Sequence, residues 1–272
     1  MSPLPKTIGE AAISVLNTEN PRAKAEQARM VAIAWRKEQL AFKFETAPPD
    51  RPARPKRPEL LDPSDLPRRG RAGTESNRRA MLHAVAHIEL NAIDLAFDII
   101  ARFGSGMPRM FTDDWVNVGD DEARHFTLLA SRLKSLECLY GDLPAHDGLW
   151  QSALDTAASL PARLAIIPMV LEARGLDVTP KMIEQFKRVG DTASANVLET
   201  ILEEEISHVA AGTRWFKFLA QRGELDADVW FKDLVQSYFK GQVKPPFNKA
   251  ARNRAGMPVS FYEPLAELMK EG

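Results

Sequence analysis

The sequence predicts an all-α protein built on a four-helix bundle, with an N-terminal helical arm, a proline-rich strap and a C-terminal tail of helix and loop. Three observations predict it. Long stretches place apolar residues at helical spacing, an acidic middle carries a duplicated ligand pattern, and breakers concentrate between the helices rather than within them. The duplication is the most informative. Glu89 precedes the pair Glu122/His125 by 33 positions, Glu172 precedes the pair Glu205/His208 by the same 33, and the second copy follows the first by 83. Of the five histidines, only His125 and His208 have a glutamate three residues earlier.

Residues three apart on a helix share a face, so each Glu-x-x-His offers one oxygen and one nitrogen toward one point. Two such helices and two further glutamates supply four carboxylates and two imidazoles, the donor set of a dinuclear site inside a four-helix bundle. Four buried carboxylates are untenable alone, and two divalent cations neutralise them. Mixed oxygen and nitrogen donors favour iron, or manganese, over calcium or a thiolate-bound zinc.

At 272 residues with 44% apolar content, the chain is long enough for a substantial core. No apolar run approaches the roughly 18 residues of a spanning helix, and the N-terminus lacks a basic-then-apolar signal pattern, so the expected location is the cytoplasm, with no membrane partner. The single cysteine, Cys138, excludes an intramolecular disulfide and a CxxC metal site; it reads as a small buried apolar residue. Any redox cycle therefore needs an external electron donor. Charge is uneven: net positive by six over residues 1–82, net negative by seven over 83–223 and neutral over 224–272. The basic residues Arg51, Arg54, Lys56, Arg57, Arg68, Arg69 and Arg71 are expected to pack against the acidic bundle, with an anionic substrate or nucleic acid as the other reading.

Four segments follow. Residues 1–47 form the arm, with helices over 7–18 and 21–43, the second opened by Asn20 as N-cap and Pro21 at its first position. Residues 48–73 form the strap, with seven of the 19 prolines between Pro48 and Pro67. Residues 74–222 form the bundle. Helix A spans about 75–103 and places Leu82, Val85, Ala86, Glu89, Ala92, Ile93, Ala96 and Ile100 on one face, leaving His83 and His87 to polar contacts with the strap or a neighbouring helix. Helix B begins at Thr112 with Asp113 and Asp114 in its first turn and runs to about Tyr140.

After the crossover YGDLPAHDGLW, helix C starts near Leu149 or Pro161 and carries Glu172. Gly175 and Pro180 are expected to break it, opening a substrate or oxygen path beside Glu172. Helix D, about 191–222, is capped by Asp191. Residues 223–272 form a C-terminal extension packed on the bundle. In the crossover, His146 and Asp147 are candidate substrate contacts, with a turn role as the plainer reading. Each ligand pair follows another acid, and the expected supporting contacts pair Asp121 with His208 and Glu204 with His125, because a ligating imidazole usually donates its other N–H to a carboxylate or carbonyl.

HAVAHIELNAIDLAFD, DDEARHF, YGDLPAHDGLW, EARGLDVTP, EEEISHVAAG and KPPFNKAARNRAG together resemble a bacterial family catalogued as a ferritin-like domain of unknown function, within the ferritin-like di-metal carboxylate superfamily. The resemblance covers most of residues 50–256. It implies a dinuclear site with Glu122 and Glu205 as bridges and Glu89 and Glu172 as terminal ligands. Among relatives of that fold, the absence of a CxxC pair argues against rubrerythrin-like peroxidases. The placement of Tyr140, Tyr238 and Tyr262 away from the ligand faces argues against a tyrosyl-radical subunit, and the added arm and tail argue against a storage cage. The expected function is oxygen-dependent oxidation or hydroxylation of a small organic substrate. The alternatives are a ferroxidase or iron-binding protein without an organic substrate, and a tRNA-hydroxylase-like enzyme.

Overall fold

The computed structural model describes residues 5–67 and 70–269; Arg68 and Arg69 of the basic strap lie outside the described residues. All regular structure among the described residues is helical, with two isolated bridges, Thr7 with Ala41 and Leu60 with Ala145. The chain divides into two compact units, residues 1–150 and 151–272. That division falls inside the stretch expected as one bundle.

In the first unit, α1 (Ile8–Leu16) and α2 (Pro21–Arg36) pack against two long helices, α3 (Glu75–Phe103) and α4 (Arg109–Ser135). The caps follow the sequence. Asn20 accepts from the Ala23 N–H at 3.0 Å and Thr74 from the Asn77 N–H at 3.2 Å, each satisfying an orphan donor of a first turn. Helix α3 has the predicted bounds. Helix α2 ends at Arg36 rather than residue 43: Glu38 takes φ 56°, and Ala41 runs alongside Thr7, its carbonyl accepting from the Ile8 N–H at 2.9 Å. Helix α4 begins three residues before Thr112 and stops at Ser135, so Asp113 sits in its second turn, where it accepts from the Trp35 indole N–H at 2.8 Å.

The strap crosses this unit as irregular chain. Among its ties are the Ala53 N–H to Leu16 O at 2.8 Å, the Leu61 N–H to Ala145 O at 2.8 Å and the Trp150 indole to Asp50 O at 3.2 Å. The basic arm and strap meet acids of α3, α4 and the crossover loop. Lys24 and Arg54 pair with Asp94, Arg29 and Arg36 with Asp120, and Arg51 with Asp147. As a result α3 is buried all round from Glu89 to Ala101, including Asn91, Asp94 and Asp98. His83 and His87 reach the crossover loop instead of the strap: the Gly141 N–H donates to His83 Nε2 at 2.9 Å, and His87 bonds the Tyr140 hydroxyl at 2.9 Å and the His146 carbonyl at 3.1 Å. Gly119 of α4 permits close approach to α3, since a Cβ there would lie 2.7 Å from the Phe97 ring.

Helix α5 (Gly148–Asp155) leads into the second unit, which contains α6 (Leu160–Ile166), a π-helical segment (Ile167–Glu172), α7 (Ala173–Arg188), α8 (Thr192–Arg222), α9 (Ala227–Tyr238), α10 (Lys249–Arg254) and α11 (Val259–Leu268). The expected break at Gly175 and Pro180 is overturned, because α7 runs through both. Pro180 has no N–H to give the carbonyl four residues back, and the Asn248 side-chain amide fills that place, donating to Leu176 O at 3.1 Å. The irregularity lies one turn earlier. Pro168 in the helical run is accommodated by the wider π turn, and its ring fits against Gly212 of α8, where a Cβ would lie 2.5 Å from Pro168 Cβ. Helix α8 has its predicted cap, Asp191, accepting from the Ser194 N–H at 3.0 Å.

Candidate metal centre

Within the first unit, the three predicted ligands come together. Glu89 points from α3, and Glu122 and His125 share one face of α4 as i, i+3 neighbours. His125 Nδ1 lies 3.2 Å from Glu89 Oε2 and 3.5 Å from Glu122 Oε2, and the three residues offer ligand atoms within 4.8 Å of one another. His125 and Glu122 are fully buried and Glu89 is 4% exposed. Within the second unit, α8 repeats half of this arrangement, with His208 Nδ1 3.4 Å from Glu205 Oε1 and His208 fully buried. Glu172 is half-buried and closes the π segment.

The first unit's trio is short of positive charge. Burial raises the Glu89 pKa well above its ordinary value, and the neighbouring Glu122 charge raises it further. Burial works against the imidazolium of His125, yet hydrogen bonds to Glu122 and Glu89, with their charge, outweigh it and push that pKa up to about 11. Both shifts have one meaning: the trio retains protons that the isolated side chains would release. A divalent cation fits the same electrostatic demand, which makes cation binding and proton release competitors.

The sign of the resulting pH dependence is fixed. Both pKa values are raised, so the metal-free native chain binds more protons than the unfolded chain, beginning near pH 4.5 for Glu89 and near 6.5 for His125. Stability from these groups is full below the unfolded values and declines as pH rises toward 11. The melting temperature of chelator-treated protein is therefore expected to fall as pH rises above 6.5. Added Mn(II) should flatten that fall; scanning calorimetry with and without metal checks it, and a melting temperature that climbs with pH in both states refutes it.

The other predicted residues also make contacts within their own units. Asp121 accepts from Arg124 on its own helix at 3.2 Å, and Glu204 is half-buried on α8 with its backbone carbonyl accepting from Ser207 at 2.8 Å. His146 Nδ1 accepts from the Gly148 N–H at 3.1 Å, and Asp147 pairs with Arg51. Sequence reasoning missed the role of Asn248 and Arg252, although the KPPFNKAARNRAG motif contained the signal. Arg252, 3% exposed, grips Asp177 through Nε at 2.9 Å and Nη2 at 2.7 Å, and the Asn248 N–H donates to the same carboxylate at 2.8 Å.

No helix among the described residues is long and apolar enough to cross a membrane. No solved structure matches the chain. A Haemophilus influenzae protein described as uncharacterized is 42% identical over 212 residues, which span 74% of this chain and 72% of that protein. A family model described as "Protein of unknown function (DUF455)" matches residues 17–263, and the chain belongs to that family.

Proposed function

We propose that the chain is a ferritin-like dinuclear metal carboxylate protein that uses oxygen to oxidise or hydroxylate a small organic substrate. The observation that carries the reading is the buried trio of Glu89, Glu122 and His125, with a second Glu-x-x-His pair repeated at identical sequence spacing on α8. Glu89, Glu122, Glu172 and Glu205 would supply carboxylate oxygens to two metal ions, and His125 and His208 would each supply a nitrogen. Asp121 and Glu204 would orient the two imidazoles. The donor set fits iron, with manganese as the alternative.

Bound iron would supply the electron-transfer and oxygen-activating chemistry, with electrons renewed by an external donor. The chain's own residues fix geometry and protonation. Ala123, Phe126 and Leu129 bury the helix face around Glu122 and His125, excluding water where charge must be held by ligands alone. In the metal-free state the hydrogen bond between His125 Nδ1 and Glu89 Oε2 holds a proton that metal binding would displace.

The arm lends little to a nucleic-acid reading, since Lys24, Arg29, Arg36, Arg51 and Arg54 pair with acids of their own unit. The test is elemental analysis of protein purified without added metal, followed by oxygen uptake of the reduced protein. About two iron or manganese ions per chain and rapid oxygen consumption are expected. Protein that remains metal-free after anaerobic Fe(II) loading refutes the reading. Repeated Fe(II) oxidation with no organic product assigns a ferroxidase instead.

A further inference from the structure

Beneath the C-terminal extension, the second unit holds a cavity of about 30 Å³ whose wall is mostly apolar, built from Met169, Val170, Phe231, Val243, Phe247 and Met257. One water needs roughly 10–15 Å³ on this measure, so the space takes a two-atom molecule and excludes an organic substrate of ordinary size. The polar groups at its border are spent elsewhere. Arg174 donates to Lys244 O at 2.9 Å and Pro246 O at 3.0 Å, Gln242 donates to Met269 O at 2.9 Å, and Arg252 holds Asp177 at 2.7 Å. The Tyr262 hydroxyl is fully covered, so it does not open onto the space. A cavity whose walls offer no polar partners stays dry and accepts small apolar solutes.

The cavity lies at the π segment that ends in Glu172. Val170 and Arg174 stand two residues either side of Glu172, and residues two apart on a helix do not face each other, so the space is on the side away from that carboxylate. Met169 joins the two sides. It stands three residues before Glu172 and is fully buried, closing the inner end of the cavity. A Cβ on Gly212 would lie 3.7 Å from Met169 Cγ, and Gly212 follows His208 by one turn of α8. One unbranched thioether with three rotatable bonds thus separates the cavity from the α8 face that carries His208. The π turn that holds it is an irregularity of the kind often kept at functional sites.

We infer that this cavity is a dioxygen site, entered past the exposed Gln242 and Lys244, and that Met169 is the gate through which oxygen passes toward Glu172 and His208. The gate rests on the reading of the chain as an oxygen-using metal protein; the site does not. The site is tested by NMR of methyl-labelled, full-length, chelator-treated protein under oxygen and under nitrogen, because dissolved oxygen is paramagnetic and speeds the relaxation of nuclei it touches. The Met169, Val170 and Met257 methyls should relax faster under oxygen than those of Leu164 and Leu198, which are buried in the same unit but do not line the cavity. That excess should be lost in Val170→Phe, whose ring fills the space. Val243→Phe fills it from the half-buried rim and serves if the first variant does not fold. Equal relaxation at all five methyl positions overturns the site, as does an excess that survives in a folded, filled variant.

The gate is tested on protein loaded anaerobically with Fe(II) and mixed with oxygen. Met169→Ile, stiffer because it branches at Cβ, should slow the reaction with oxygen about tenfold at unchanged iron content, a barrier raised by ~1.4 kcal/mol. An unchanged rate overturns the gate. So does loss of iron from the variant, which would make Met169 a support of the fold. Wild-type protein that takes up no iron removes the metal reading and the gate with it, while relaxation in the metal-free protein still decides the site.

Discussion

His125→Ala is expected to take metal content from about two ions per chain to one or fewer, with affinity at the damaged position reduced by at least ~100-fold, since loss of a mere supporting contact to a ligand already costs 10–100-fold. The substitution removes the only nitrogen ligand the first unit offers in the trio and leaves Glu89 and Glu122 buried together. Two carboxylates in that position repel, and in metal-free protein the variant should recover stability on acidification as Glu89 takes up a proton. His208→Ala should match it in metal loss, because the two pairs hold equivalent places in the duplication. His83 and His87 provide the control. Both are buried on α3 near Glu89 in sequence, yet their ring nitrogens face the crossover loop, so His87→Ala should keep full metal stoichiometry. Elemental analysis after identical anaerobic loading decides the matter. Unchanged stoichiometry in His125→Ala, or loss of metal in His87→Ala alone, ends the dinuclear reading.

The trio was legible in the sequence because its geometry is local. The i, i+3 relation of Glu122 to His125 follows from the helix, and only the addition of Glu89 from α3 needed the packing of α3 on α4. Caps at Asn20, Thr74 and Asp191 were legible for the same reason, each being one side chain acting three residues ahead. What failed depended on distant partners. The end of α2 follows from the pairing of Ala41 with Thr7, which propensity in LAFKF does not reveal. Pro180 lost its helix-breaking effect because Asn248, 68 positions later, serves the carbonyl it abandons. Helix periodicity found the apolar face of α3 but assigned no partner to Asn91 and Asp94, which the strap's Arg54 and the arm's Lys24 cover, or to Asp98, which pairs with Arg102 of the same helix.

That burial is the basis for the largest expected loss of stability. Lys24 is 1% exposed and Asp94 is fully buried, and they are paired although 70 positions apart. Burial lowers the Lys24 pKa against the pull of Asp94, and burial raises the Asp94 pKa against the opposing charges of Arg54 and Lys24. Desolvation is thus the leading influence on both partners, and each is tolerable only while the other remains. Lys24 Nζ also donates to Ala53 O at 3.1 Å, tying the strap to the same point. Lys24→Met should therefore destabilise by ~3–5 kcal/mol, leaving Asp94 to Arg54 alone at 3.0 Å. The double variant Lys24→Met/Asp94→Leu should be less destabilised than the sum of the two single changes, because removing both ions removes both desolvation penalties. Urea denaturation of the four proteins, with equal slopes, measures the coupling. If Lys24→Met shifts stability by under ~0.5 kcal/mol, the value of an ordinary surface pair, the arm is not anchored to α3 through this ion pair.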